Sequence, residues 1–286
     1  MGNRISELEE KLCEVRNLMT RAMGKSSHAH IGGCLSVLEI ITVLYFDVLK
    51  IDPKNPKWEG RDYFVLSKGH TGPAVYSALA VRGFFEAGEV FTLNEGGTRF
   101  PSHVDRNKTP GIDMTCGSLG QGLSAALGMA IGLRVDNKTN QVFCIVGDGE
   151  CQEGQIWEAA MYAGHLKLDN LTLFCDFNKA QVDGFTKDIN NLEPFYDKWE
   201  AFGWNVWEIN GHDLGEICRT LDEAHEKKGK PKMIILNTVK GNSAPSYHNT
   251  GKCHCVDFTP GQAEELIAYW EEERKHTMSG TGGRHV

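Results

Sequence analysis

Residues 141–150 read Gln141-Val142-Phe143-Cys144-Ile145-Val146-Gly147-Asp148-Gly149-Glu150. The apolar run lacks the alternation of a half-exposed strand and is too short for a buried helix. It predicts a strand covered on both faces, as in parallel sheets. It stops at Gly147-Asp148-Gly149, where glycines flank a carboxylate and allow close backbone approach to a ligand. Leu171-Thr172-Leu173-Phe174-Cys175 repeats the plan and runs into Asp176-Phe177-Asn178-Lys179-Ala180-Gln181-Val182-Asp183-Gly184. In open parallel sheets, ligands bind beyond the carboxyl ends of the strands. Neighbouring strands would bring Asp148 and Asn178 together from 30 positions apart. A carboxylate, a side-chain amide and nearby carbonyls make a hard oxygen set suited to Mg²⁺ or Ca²⁺. Protein charge is too sparse to cage such an ion alone, a shortage that Mg²⁺ commonly makes up with phosphate oxygens and water. Taken singly, Gly147-Asp148-Gly149 is equally a turn and Asn178 a cap.

Outward from this pair, strands and helices alternate. Further strands are predicted at Tyr63–Leu66, Asn205–Ile209 and Met233–Leu236. Residues 4–23 place Ile5, Leu8, Leu12, Val15, Leu18, Met19 and Ala22 on one helical face. Other helices are expected from Ser36 to Leu49, after Gly72-Pro73, from Leu119 in a run of small residues, and over 153–167, 213–228 and 261–274. Trp157, Met161 and Leu166 read as core, and Asp213 as an N-cap. Residues 83–118 form a long Gly-, Pro- and Asn-rich loop of the kind that is usually functional. The pattern predicts an α/β fold with a doubly wound, mainly parallel sheet flanked by helices. One domain is expected over 1–275, with a flexible tail over 276–286 that includes Ser279–Gly283.

Composition excludes several classes. Among 286 residues, 41% apolar content with thirteen Phe and six Trp is far from disorder. A net charge of −8 without a basic stripe argues against nucleic acid. No apolar run reaches the roughly 20 residues of a membrane span, and the polar start is unlike a secretory signal. Gly2 and Ser6 meet a loose myristoylation pattern of little weight. Nine cysteines, an odd number in apolar or glycine-rich runs, read as reduced thiols in a cytoplasmic protein. The 32 glycines among 286 residues exceed a usual ~7%.

Several ordered motifs together resemble the transketolase branch of the thiamine-diphosphate (ThDP) enzymes, over roughly residues 10–270. Gly147-Asp148-Gly149 with Asn178 resembles the family's metal and diphosphate motif. Ser27-His28-Ala29-His30-Ile31-Gly32-Gly33, Leu66-Ser67-Lys68-Gly69-His70 and Pro101-Ser102-His103 resemble its three histidine loops. Thr115-Cys116-Gly117-Ser118-Leu119-Gly120-Gln121-Gly122 resembles the loop that meets the aminopyrimidine ring.

The resemblance implies a diphosphate-binding (PP) domain of the ThDP fold. Asp148, Asn178 and the Ala180 carbonyl would hold Mg²⁺, with Ca²⁺ or Mn²⁺ as substitutes. His70, Gly117, Ser118, Leu119, Gly149, Glu150 and Asn178 would contact ThDP, and Glu153 would be a subunit-facing carboxylate linking two active sites. His30 and His103 would face the reacting carbon; Glu39, nine residues beyond His30, favours His30 over His28. The fourth histidine is either His254 or His248, with His254 favoured by its place ahead of Pro260. Cys253-His254-Cys255 lacks the second spaced pair of a zinc site. His212 reads as ordering a helix start, and His165, His225, His276 and His285 as surface.

Family transketolases are more than twice this length. The implied protein is therefore the N-terminal subunit of a split transketolase, with the pyrimidine-binding domain on a C-terminal partner subunit, as an α2β2 heterotetramer. Its reaction would move a two-carbon ketol unit from a ketose to an aldose, with phosphorylated sugars as substrates. Rival readings are half of a 1-deoxyxylulose-5-phosphate synthase-like or 2-oxoacid dehydrogenase E1-like enzyme, or a non-catalytic regulatory subunit. Eroded ligands would mark the last, but Asp148, Asn178 and the three matched histidines are present.

Overall fold

The computed structural model describes residues 1–250 and 252–278. Its centre is a five-stranded, wholly parallel sheet in the order Tyr63–Leu66, Val142–Gly147, Leu171–Phe177, Lys232–Asn237, Asn205–Asn210. Every residue of the Val142–Gly147 and Leu171–Phe177 strands is buried, which accounts for their unbroken apolar sequence. Asn205–Asn210 is an edge strand and only partly covered. The register sets Gly147 beside Asp176, and Asp176 beside Leu236. The loops leaving these strands therefore emerge side by side at the carboxyl edge.

Helices flank the sheet: Gly2–Ser26, Gly72–Arg82, Gln121–Val135, Gly154–Leu166, Leu214–Glu226 and Pro260–Met278. The first buries Leu8, Val15, Met19, Ala22 and Met23 and ends at Ser27, whose left-handed φ of 64° closes the turn. The expected helix over 36–49 is present as Leu38–Val43 running directly into a π-helical end, Leu44–Val48, and a separate short helix, Ile31–Leu35, precedes it. Ser36 separates the two helices, its hydroxyl donating to Asp176 at 2.7 Å while lying 3.1 Å from the Gly33 carbonyl. A buried carboxylate across the sheet has claimed the residue.

Met161 is not core. The Gly154–Leu166 helix buries Ile156, Ala159, Ala160 and Ala163, and Met161 lies off that face, 57% exposed. Trp157 packs on Trp199 and Leu166 lies half-buried against the core. The 83–118 stretch is pinned by a 3₁₀ turn, Ala87–Thr92, and by burial of Leu93, Phe100 and Val104. All nine cysteines are free thiols. Among the described residues, no helix is long and apolar enough to cross a membrane. Most of the expected tail, including 279–283 and His285, lies outside the described residues.

Candidate active site

Four loops meet above the carboxyl edge. Backbone hydrogen bonds lace the first pair: Gly32 N–H donates to the Cys253 carbonyl at 3.1 Å and Gly241 N–H to the Gly32 carbonyl at 3.0 Å. A second lace joins the others, from Val104 N–H to the Gly69 carbonyl at 3.2 Å and from Cys116 N–H to the Val104 carbonyl at 3.1 Å. Gly32 and Gly69 stand at these crossings because a β-carbon on either would run into the carbonyl of Cys253 or Cys116.

The lacing gathers four imidazoles. The His30 ring centroid lies 5.3 Å from His70, 6.0 Å from His103 and 5.4 Å from His254. His70 and His254 are 5.0 Å apart. His248 is exposed and outside this group. Burial, with the His103 and Lys240 charges behind it, lowers the His30 pKa to about 4. Burial and then Lys240 lower His254 to about 4. His70 falls well below its usual value through burial and then Lys68, and burial lowers His103 too. Neutral rings at pH 7 each carry one N–H donor and one acceptor nitrogen.

Beside them lies a buried acidic edge. Asp176 is fully buried, which alone would raise its pKa; an ion pair with Lys68 and hydrogen bonds from Thr238 and Ser36 hold it below the usual carboxylate value. Asn178 turns its amide N–H to Asp176 at 2.8 Å and its oxygen to the Ala180 N–H at 3.1 Å. Asp148, 1% exposed, accepts from Gly149 N–H at 2.8 Å and Lys179 N–H at 2.6 Å. These dipoles do not offset burial and the neighbouring Asp176 charge, so its pKa rises to about 7. Lys240 Nζ joins the two regions, donating to the Ala180 carbonyl at 3.2 Å while lying 3.3 Å from His254 Nδ1.

Residues 9–271 match the family described as "Transketolase, thiamine diphosphate binding domain". The chain belongs to this family. It is 48% identical to the 6-deoxy-6-sulfo-D-fructose transketolase subunit SqwG of a Clostridium species, across 96% of this chain and 99% of that one. It is 37% identical to an apulose-4-phosphate transketolase subunit of Phocaeicola vulgatus, across 92% and 93%. The crystal structure of Campylobacter jejuni transketolase superposes with a TM-score of 0.85 at 30% identity, covering 91% of this chain but 42% of that enzyme. The chain thus spans nearly the whole of the subunits it resembles and about two-fifths of that full-length transketolase. These likenesses do not favour the synthase, E1 or regulatory readings.

The residues present fit the family's cofactor and a divalent cation. Asp148 is a buried carboxylate short of positive charge, and Asn178 and the Ala180 carbonyl add neutral hard oxygens. Among the described residues, no three His, Cys, Asp or Glu side chains form a metal site by themselves. Any cation would therefore lean on phosphate oxygens. Glu150, also expected to meet the cofactor, accepts from Ser67, from Gly120 N–H at 2.9 Å and from Gly147 N–H at 3.1 Å. It ties three transketolase loops together from beneath. Gly117, Ser118, Leu119 and Glu153 lie on the exposed rim, where a partner could reach them.

Sequence reading missed Lys68, Asp176 and Lys240. The first two stand inside the histidine and asparagine motifs; Lys240 had only its place after the Lys232–Asn237 strand as a signal. His212 needs correcting. Asp213, not His212, caps the Leu214–Glu226 helix, through Glu216 N–H at 2.8 Å. The His212 imidazole turns inward, with Nε2 accepting from Val239 N–H at 2.8 Å and Nδ1 3.2 Å from Glu39.

Proposed function

We propose that this chain is the diphosphate-binding subunit of a two-chain transketolase that moves a two-carbon ketol unit from a ketose carrying a terminal anionic group to an aldose. The observation that carries the reading is the Lys240 ammonium, which links the Asp148–Asn178–Ala180 oxygen edge to the histidine cluster. Bound ThDP supplies the thiazolium that permits cleavage of a carbon–carbon bond beside a carbonyl. In this chain Asp148, Asn178 and the Ala180 carbonyl would hold Mg²⁺, with His70 facing the diphosphate. Neutral His30, His103 and His254 would donate N–H groups to ketose oxygens and take up a hydroxyl proton as the bond breaks.

The partner in this reading is a subunit carrying the pyrimidine-binding domain, assembled as α2β2. The relatives' subunit names and the two-fifths coverage of a full-length transketolase support it. Those relatives are named for a sulfonated and a phosphorylated sugar, which supports an anionic donor. The test co-expresses the chain with its genomic neighbour and assays ketol transfer with ThDP and Mg²⁺. Donors are 6-deoxy-6-sulfofructose, apulose 4-phosphate and fructose 6-phosphate. Transfer from one of these by the pair, and none by the chain alone, is the expected result. Pyruvate consumption with CO₂ release would overturn the transketolase assignment, and full activity of the single chain would overturn the two-chain one.

A further inference from the structure

At the opposite end of the sheet, below the amino ends of the Val142–Gly147 and Leu171–Phe177 strands, lies a cavity of about 450 Å³. In a chain of net charge −8, its wall carries Lys50, Arg134, Lys138 and Lys228. Its two carboxylates are engaged by backbone. Asp62 accepts from Lys50 N–H at 3.0 Å and Gln141 N–H at 2.8 Å, and Asp169 from Gly229 N–H at 2.9 Å. The cations are less well matched. Among the described residues, Arg134 and Lys228 donate only to carbonyls, those of Leu166 at 2.7 Å and His225 at 2.9 Å. Of these four, Lys138 alone has an ion pair among the described residues, with Glu59 at 3.0 Å, near the surface.

An adjoining cavity of about 160 Å³ shares Val48, Gln141, Phe143 and His225 with the first and adds Lys232, together with Asp47 and Asp222, which are both paired to Arg4. The Lys232 side chain is almost wholly buried, 2% exposed for the residue, and its Nζ donates to the Asp169 carbonyl. Among the described residues it has no carboxylate at ion-pair distance. Burial and the Lys228 charge lower its pKa to about 8, against a partial offset from the more distant Asp169 carboxylate. A buried ammonium beside other cations creates a demand for an anion. One group in the wall asks for something else. Asn170 Nδ2 is satisfied by the Ala130 carbonyl at 3.0 Å, but its Oδ1 is buried without a partner. That oxygen calls for a donor, such as a hydroxyl.

We propose that this basal cavity is a second ligand site, for a small hydroxylated anion of the sugar-phosphate or sugar-sulfonate class. The anionic group would lie between Arg134 and Lys228, on the side of the adjoining Lys232, and a hydroxyl would donate to Asn170 Oδ1 once that side chain turns from its buried position into the cavity. The strands separate it from the histidine cluster, so its occupancy requires no turnover and no bound cofactor.

The test is isothermal titration calorimetry of the full chain with fructose 6-phosphate, inorganic phosphate and sorbitol. Saturable binding of fructose 6-phosphate, weaker binding of phosphate and none of sorbitol is expected. Arg134→Ala with Lys228→Ala, both on exposed side chains, should weaken fructose 6-phosphate by at least ~10-fold, as expected from losing a charge-assisted hydrogen bond. Asn170→Ala should shrink the preference for fructose 6-phosphate over phosphate. His70→Ala, at the other end of the sheet, should leave all affinities unchanged. Absence of saturable binding at millimolar ligand would overturn the site. So would an affinity lost in His70→Ala but kept in the Arg134/Lys228 variant, which would place the anion at the cofactor edge.

Discussion

His212 Nε2 accepts the backbone N–H of Val239 at 2.8 Å, and this bond fixes the residue next to Lys240 in the loop after the Lys232–Asn237 strand. An acceptor nitrogen carries no proton, so the ring's N–H is on Nδ1, facing Glu39. The imidazole is thus a strut between the helix 38–43 and the Lys240 loop. His212→Ala leaves a buried N–H unpaired, costing ~1–3 kcal/mol locally. In the assembled complex, ThDP affinity should fall about 10-fold, with far-UV circular dichroism unchanged. His212→Gln, whose side-chain oxygen can accept the same N–H, should recover part of it. Unchanged ThDP affinity in His212→Ala would refute the positioning role.

The strands were legible because both faces of the central ones are buried, so their sequence carries no alternation to misread. Elements whose limits depend on distant partners were not. The short helix Ile31–Leu35 was not expected, and it ends where Ser36 turns to Asp176, 140 positions away in sequence, a bond to which helical periodicity has no access. Met161 misled because the face of its helix that packs consists largely of alanines, and an apolar residue off that face reads as core. At the site, His30, His70 and His103 announced themselves through Gly-, Ser- or Pro-containing loops, whereas Lys240 acts through a carbonyl and a ring that only folding brings near.

Asp148 ties stability to cofactor binding. Its carboxyl pKa is raised to about 7 in the cofactor-free protein, against 3.8 for an unperturbed aspartate. A raised acid pKa means that the folded state binds the proton more tightly than the unfolded one does. Its contribution is therefore most favourable below pH 4 and is lost as pH rises from 4 to 7. Without cofactor, the wild-type melting temperature should fall over this window more steeply than that of Asp148→Asn. Mg²⁺ competes with the same proton, so Mg²⁺-dependent ThDP affinity should improve from pH 6 to 8 in the wild type and be lost in Asp148→Asn. Parallel melting profiles for the two proteins would contradict the assignment.

The histidine cluster predicts a flat acid limb. Burial, followed by neighbouring positive charges, holds His30 and His254 at about 4, so both remain neutral down to pH 5. A lowered pKa places the loss of a neutral-ring function below pH 5, not near the ordinary histidine value of ~6.5. His30→Ala and His103→Ala should each cut kcat by ~10²-fold or more while retaining ThDP. A profile of kcat in the assembled enzyme that falls with a midpoint near pH 6.5, and loses that fall in His30→Ala, would show that His30 titrates normally.

Lys68 and Asp176 form the buried ion pair on which the site's floor rests, with Ser36, Thr238 and Asn178 completing the carboxylate's hydrogen bonds. Removing one member leaves the other charge buried and uncompensated, which costs ~3–5 kcal/mol. Lys68→Met should therefore lower the urea midpoint sharply. Without Lys68 the unpaired Asp176 carboxylate takes up a proton or shifts toward water, loosening the Asn178 that it orients, so the same variant should weaken Mg²⁺-dependent ThDP binding under conditions where it remains folded. Lys68→Met combined with Asp176→Leu removes both charges and should regain much of the stability, but not the cofactor affinity, since Asn178 then lacks its anchor. A double variant no more stable than Lys68→Met alone would show that the cost lies in lost packing around the lysine stem and not in the unpaired carboxylate.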